Sequence, residues 1–330
     1  MCFSPLFVTS LHPWLCLPDS FNRHPNRTIP CFGALFSQLP LNTSQQQKQL
    51  DMSNRSVVAA MSGTTCGASE PGCVWKAGVS IRYDITSRHA FWWEQHFPRW
   101  EMHTFRVFQR FVRPGAVVLD AGGWIGSTAL WLAERARKVV VLEPGDRAFE
   151  ELLLHVAQNP TRRSRLSLLR AALGPKRGLV QMTNRGDSAD QVGVFDRQEG
   201  ILSSVFGIND LLYAFPELED VSFIKIDVEG SERDIIPAMT DFLRRKRPVM
   251  LLSIHPHALM DDELSKLIGE LRALCPQLYS FHWNMSRWWL RDFQFTYRQI
   301  VAMPEVADPA DDALCTWEPL PADALQVDDE

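Results

Sequence analysis

No apolar run in this 330-residue chain reaches the roughly 18 uncharged residues that a spanning helix needs, so a helical membrane protein is excluded. No CxxC pair occurs among the seven cysteines, and no histidine pair stands in register with Cys66 and Cys73, which argues against a zinc site. No basic run is longer than the four residues Arg244, Arg245, Lys246 and Arg247, and a net charge of −5 gives no footing for nucleic-acid binding. No basic segment precedes the apolar opening, which Pro5, Pro13 and Pro18 interrupt, so a secretory signal fits poorly. What is present is ordinary for a globular protein: 45% hydrophobic, 22% charged and 10% aromatic residues. That composition excludes collagen-like, coiled-coil and wholly disordered chains. The length suits one large domain with extensions, or two small domains.

The charge is unevenly spread. Residues 301–330 hold nine acids and no Lys or Arg, and the net −5 becomes +4 once they are set aside. A mildly basic body is therefore expected, followed by a solvated acidic tail over 305–330. Five cysteines fall in the first quarter, while Cys275 and Cys315 stand alone. So cysteine-poor a body predicts thiols in a reducing compartment and a cytoplasmic location. The first ~75 residues are rich in Pro, Ser, Gln and Asn and have no periodicity, which predicts a poorly ordered extension over 1–75. Residues 1–50 carry one acid and three bases, a balance weakly like a transit peptide; a start at Met52 or Met61 fits equally.

From Trp75 the pattern tightens. Trp92, Trp93, Trp100, Phe105, Phe108 and Phe111 recur at near-helical spacing, predicting a helix with a buried aromatic face, stopped by Pro114 and Gly115. Apolar runs then predict strands at 116–121, 138–143, 166–173, 179–182, 221–228 and 248–255. Helical spacing falls between them at 127–136, 146–159, 231–245 and 261–274. LYSFHW and RQIVAM read as a final strand pair. Strands alternating with helices of this length make βαβ units, so the fold class is α/β: a doubly wound, mostly parallel sheet with helices on both faces. The domain is expected to span 76–304.

Ligands of such sheets bind outside the carboxyl ends of the strands. After the first strand come Asp120, Ala121, Gly122, Gly123, Trp124, Ile125, Gly126 and Ser127. Glycines there let backbone approach a ligand and open a helix N-terminus toward it. The dinucleotide pattern GxGxxG fails, because from Gly122 position 124 is Trp and position 127 is Ser. The pattern is DxGxxxG, the arrangement of sheets that bind S-adenosyl-L-methionine. Asp120 can hold the methionine ammonium group, directly or through water, and adds negative charge near a sulfonium, whereas it would repel a pyrophosphate. The second strand ends at Leu142, Glu143 and Pro144, an acid placed to accept both hydroxyls of a ribose. The candidate cofactor residues are Asp120, Gly122, Gly123, Trp124, Gly126 and Glu143, with Ala172 at the end of the third strand.

The chemistry is expected at two further strand ends. Asp227 ends FIKID, Glu229 follows two residues on, and His255 ends LLSIH. A histidine oriented by a carboxylate is a sound general base, so His255 or Asp227 is the expected base and the other its orienter. Glu229 is either a hinge residue or a substrate contact. Glu232 reads as a helix-dipole cap, Lys225 as part of a structural ion pair, and His257 as a solvated loop residue. Magnesium chelation through Asp227 and Glu229 is the lesser reading, and no metal is expected, because LLSIHPH holds no carboxylate. Trp283, Trp288 and Trp289 form either a stacking platform for an acceptor or core packing.

FIKIDVEGSE (223–232), joined to LDAGGWIG, VLEP (141–144) and VFGINDLL (205–212), resembles the FkbM-type methyltransferases over roughly residues 100–260. The resemblance implies an S-adenosylmethionine-dependent enzyme with the class I methyltransferase fold, strand order 3-2-1-4-5-7-6 and an antiparallel seventh strand. Several members methylate hydroxyl groups of sugars or natural products, which implies a small-molecule or glycan hydroxyl as acceptor and no nucleic-acid partner. Two departures stand out. Trp124 replaces an Asn or another small polar residue, and the family's serine-rich loop corresponds either to residues 186–188 or to Ser203 and Ser204. Two alternatives remain beside this reading. One is a binding protein that has lost catalysis, for which Trp124 is the hint. The other is a nucleic-acid methyltransferase, against which stands the lack of a long basic run, an RNA-binding module and an NPPY-type motif.

Overall fold

A computed structural model describes residues 66–67, 70–182, 201–283, 297–302 and 312–321, all within the compact unit Asp51–Glu330. A hairpin of β1 (Cys73–Lys76) and β2 (Val79–Arg82) leads into two helices, α1 (Ala90–Gln95) and α2 (Met102–Phe111). Then follow β3 (Val117–Ala121), α3 (Ser127–Arg135), β4 (Lys138–Leu142), α4 (Asp146–Ala157), α5 (Pro160–Arg163), β5 (Leu166–Leu169), β6 (Ala172–Leu173) and β7 (Gly178–Met182). After residue 200 come β8 (Ile201–Phe206), α6 (Ile208–Ala214), β9 (Val221–Ile226), α7 (Glu232–Lys246), β10 (Val249–Ser253), α8 (Asp261–Leu274), β11 (Gln277–Trp283), β12 (Tyr297–Ala302) and β13 (Asp312–Thr316).

The main sheet has eight strands in the order β12-β11-β13-β10-β9-β3-β4-β5. β10, β9, β3, β4 and β5 pair in parallel, and β13 lies antiparallel between β10 and β11. Read from β5, this is the order 3-2-1-4-5-7-6 with β12 added at the edge. Three expectations are corrected here. RQIVAM forms the edge strand β12 and not the seventh strand, which is DALCT from the acidic segment. The tail boundary at 305 therefore does not hold: Ala313, Leu314 and Cys315 are buried and hydrogen-bonded to strands on both sides. Nor does the run 166–173 form one strand. It breaks at Arg170 and Ala171, and Ala172 and Leu173 join β7 and β8 in a second sheet ordered β6-β8-β7.

Strand alternation divides the core into two layers. Val117, Leu119 and Ala121 of β3 face a layer with Ile224, Ile226, Ile236, Met239 and Leu271. Val118 faces the other, with Phe105, Phe108, Trp131 and Phe223. The aromatic segment is two helices and not one, because Glu101 takes a left-handed φ of 42° between them. Asp120 and Lys225 are register partners on β3 and β9, so both side chains project into the aromatic layer, buried from water.

The hairpin is tied to this layer by Lys76, which is buried. Its ammonium group donates to the carbonyl oxygens of Phe97 at 2.9 Å, Pro98 at 3.3 Å and Trp100, and lies over the rings of Phe97 and Phe105. Burial pushes the Lys76 pKa down from 10.5 to about 7, against the pull of the Glu101 charge. Between those two values the unfolded chain binds a proton that the folded chain does not, so stability rises with pH across that window. Denaturation of wild type and Lys76→Met should show the wild type gaining on the variant from pH 7 upward. A constant difference would place the Lys76 pKa at its ordinary value.

The described cysteines are paired, contrary to the thiols expected. Cys66 bonds to Cys73, and Cys275 after α8 bonds to Cys315 on β13. A pair so far apart in sequence meets because β11 and β13 are neighbours. Disulfides are the form that oxidising compartments maintain. A Cys275→Ser/Cys315→Ser variant should lose about 2–4 kcal/mol in urea denaturation; an unchanged midpoint would show that the bridge does not hold β13.

Candidate active site

The parallel strands end side by side, and their following residues form one site. Gly122 and Gly123 both donate to the carbonyl of Leu142 on β4, at 2.9 and 3.0 Å, and Asp227 N–H donates to Ala121 at 3.0 Å. Gly122 has φ +85°, and a Cβ there would lie 1.8 Å from the carbonyl oxygen of Asp227. The turn after β3 and the turn after β9 thus touch through backbone, and only glycine permits it.

Glu143 is buried at the end of β4. Its carboxylate accepts the N–H of Trp124 at 2.8 Å and of Gly145 at 2.7 Å. Trp124 takes a left-handed φ of 44°, and its ring packs against Trp92 at 4.7 Å, His89 at 5.2 Å and Trp100 at 6.4 Å. An aromatic wall from α1 and the turn before α2 therefore stands beside the glycine turn. Ser203 donates to the carbonyl of Pro144 at 3.3 Å from β8, which is a strand and not a loop. Ala172 is buried in the small sheet, paired with Val205.

Asp120 occupies a different place from the one expected. It is fully buried and accepts Thr128 Oγ1 at 2.8 Å, with Lys225 Nζ 4.0 Å away. Its second oxygen has no hydrogen-bond partner. Burial pushes its pKa up to about 6 against the pull of Lys225 and Thr128. Lys225 in turn donates to Asp227 Oδ2 at 2.9 Å and to the carbonyl of Gly122 at 3.4 Å. Burial opposes the ammonium form, but Asp227 and Asp120 outweigh it and raise the Lys225 pKa above its ordinary value. The ion pair expected for Lys225 is present, and Asp120 belongs to it.

Asp227, Glu229 and His255 come together as the strand order requires. His255 Nε2 lies 3.4 Å from Asp227 Oδ1 and 3.5 Å from Glu229 Oε1, and Nδ1 lies 3.0 Å from Glu232 Oε1. Glu229 reaches in because its φ is 53°, which folds the turn back over the strand end. Glu232 is more than a helix cap: it is fully buried, also accepts the N–H of Val228 at 3.3 Å, and orients the His255 ring. Burial alone would lower the His255 pKa, but the Glu232 hydrogen bond and the charges of Asp227, Glu232 and Glu229 push it up to about 9. The carboxylates that surround the ring thus favour its protonated form.

A second polar group adjoins this one and was not read from the sequence. Glu101, ahead of α2, accepts Thr104 Oγ1 at 3.2 Å. Burial, then the charges of Asp227 and Asp312, push its pKa up to about 8. His103 Nε2 lies 2.5 Å from Asp312 Oδ2. Burial raises the Asp312 carboxyl, but the imidazole of His103 more than offsets this and leaves it below its ordinary value. The only local signal for Glu101 and His103 was polar residues inside an aromatic run. Trp288, Trp289 and residues 186–188 lie outside the described residues, as do the side chains of His257 and Trp283.

Strand order 3-2-1-4-5-7-6, a glycine turn after the first strand and an acid after the second define a class I methyltransferase fold. Residues 120–281 match the FkbM methyltransferase domain, and this segment belongs to that family. Among solved structures, the methyltransferase FkbM of Methylobacillus flagellatus KT is 17% identical, with 56% of this chain and 47% of that chain covered and a TM-score of 0.36. This chain thus spans about half the length of that protein. A precorrin-6y C5,15-methyltransferase of Geobacter metallireducens GS-15 is 12% identical, with 66% and 88% covered and a TM-score of 0.37. An rRNA methylase of Streptococcus thermophilus is 11% identical, with 66% and 96% covered and a TM-score of 0.36. Likenesses this distant say nothing of substrate. A search of the curated proteins finds no significant match.

Proposed function

We propose that this protein transfers the methyl group of S-adenosyl-L-methionine to a hydroxyl oxygen of a small molecule or sugar. The contact between Gly122 and Asp227 carries the reading, because it sets the turn that would receive the donor against the group that would receive the acceptor. The donor supplies a methyl group already activated on a sulfonium, so the protein's part is alignment and removal of a proton.

The residues fit such a donor. Glu143 stands at the end of the second strand beside the glycine turn, its carboxylate set by the backbone N–H groups of Trp124 and Gly145, where it would accept a ribose diol. Gly122 and Gly123 present backbone without side chains, and Trp124 walls the turn. Asp120, closed off by Thr128 and Lys225, acts on the site through Lys225 and Asp227 and does not touch the donor. Asp227, Glu229 and His255 orient the acceptor hydroxyl as its proton leaves toward solvent.

Loss of a charge-assisted hydrogen bond costs about 1.5–3 kcal/mol. Glu143→Ala should therefore weaken S-adenosylhomocysteine binding by roughly 10- to 150-fold. An unchanged affinity would remove Glu143 from the site. The reaction itself is tested with a labelled methyl donor and a panel of sugars, phenols and polyols. Label in an alkali-stable ether supports the proposal. Donor binding with no transfer to any hydroxyl would favour the binding-only reading, for which the Trp124 ring beside the turn is the one structural argument.

A further inference from the structure

We propose that Asp227, Glu229 and His255 bind one divalent first-row transition ion, such as Mn²⁺ or Zn²⁺. One ligand atom from each of the three lies within 4.8 Å of the others. His255 Nε2 stands 3.4 Å from Asp227 Oδ1 and 3.5 Å from Glu229 Oε1. Charge-assisted N–H···O bonds close to about 2.7–2.9 Å, so both separations are too long for that. Around an ion with ligands at about 2.1 Å, neighbouring ligand atoms sit about 3.4 Å apart in a tetrahedron. The two distances from His255 match that spacing, and the two carboxylate oxygens lie within 4.8 Å of each other.

The surrounding groups orient each ligand toward that point. Glu232 meets Nδ1 of His255 at 3.0 Å, which fixes the ring with Nε2 toward the two carboxylates. Lys225 holds Oδ2 of Asp227 at 2.9 Å, leaving Oδ1 on the side of His255. Binding releases the Nε2 proton, and the ion then supplies the positive charge beside Glu232, which is fully buried with no hydrogen-bond partner on Oε2. A divalent ion on Nε2 would draw density from the imidazole and strengthen its bond to that buried carboxylate.

An imidazole with two carboxylates suits first-row transition ions better than Mg²⁺ or Ca²⁺, which prefer all-oxygen sets. Three protein ligands leave a position open, the mark of a catalytic site. The side chains of His255, Asp227 and Glu229 are 15%, 21% and 20% exposed. If the methyltransferase reading holds, the ion would seat the acceptor's hydroxyl oxygen at the open position and ease loss of its proton to water.

The test is titration of chelator-treated full-length protein with MnCl₂ and ZnCl₂, by calorimetry and by electron spin-echo spectroscopy of the Mn²⁺ form. One ion per chain is expected, with ¹⁴N coupling from an imidazole. His255→Gln should abolish the coupling and weaken binding at least 10-fold. Glu229→Gln, on a half-buried turn, should weaken binding at least 10-fold while melting as wild type does. No stoichiometric binding, or binding and ¹⁴N coupling unchanged in both variants, would overturn the proposal. S-adenosylhomocysteine is titrated separately. Its binding without any metal binding defeats this proposal alone, and metal binding without it defeats the methyltransferase reading alone.

Discussion

Lys225→Met should lose about 3–5 kcal/mol of folding stability, the cost of removing one partner from a buried ion pair. Lys225 sits between two acids and is 2% exposed, and Asp120 on its register partner is fully buried. Without the ammonium group, Asp120 keeps only the Thr128 hydroxyl, and its other oxygen already lacks a hydrogen bond. The carboxyl must then protonate or remain an uncompensated charge in an aromatic layer. Adding Asp120→Asn should restore part of the loss, so a double-mutant cycle should show strong coupling. Urea denaturation measures all four proteins. A single variant within about 1 kcal/mol of wild type, or additive losses, would mean that Lys225 is held by something other than these acids.

Gly122→Ala is expected to be nearly as damaging, for a steric reason. A left-handed backbone costs an ordinary residue about 1–2 kcal/mol. The added Cβ would also meet the Asp227 carbonyl oxygen at 1.8 Å, and a backbone atom tied to the sheet edge by the Asp227 N–H bond to Ala121 cannot give way cheaply. Overpacking of this kind costs about 1–3 kcal/mol more. Gly78 supplies the control, since its φ is +77° but nothing lies within 4 Å of its Cβ position. Gly122→Ala should therefore lose at least about 2 kcal/mol more than Gly78→Ala, and should weaken S-adenosylhomocysteine binding because the turn must shift. Equal losses would show that the close approach of the two turns is not needed.

Both effects live at the junction of three strand ends, and that junction was partly legible in the sequence. α8 forms over the 261–274 run, and β3, β4, β9 and β10 form where the apolar runs lie, because local periodicity decides such segments. Asp227, Glu229 and His255 were recognisable as strand-end residues, and the parallel order brings them together. The charges around them were not legible. Glu232 opens α7, where an acid has a sufficient local reason to be, yet its carboxylate turns inward to His255.

The rest depended on distant packing. DALCT is short and flanked by Asp308, Asp311 and Glu318, so it reads as tail; it becomes a strand because β10 and β11 offer edges on both sides. Asp120 looked like a cofactor ligand, but strand alternation turns it into the layer that holds Lys225. Glu101 and His103 reach the site only because α2 packs on the sheet, as the contact of Phe108 with Phe223 shows. A helix written in aromatics announces its buried face and conceals the polar end that meets the site.

The most direct test of the central claim is calorimetric titration of the full chain with S-adenosylmethionine, S-adenosylhomocysteine and NAD. Micromolar binding of the first two and none of the third is the predicted result. Binding of NAD, or of none of the three, would contradict the assignment of the Gly122–Glu143 turn to an S-adenosyl ligand.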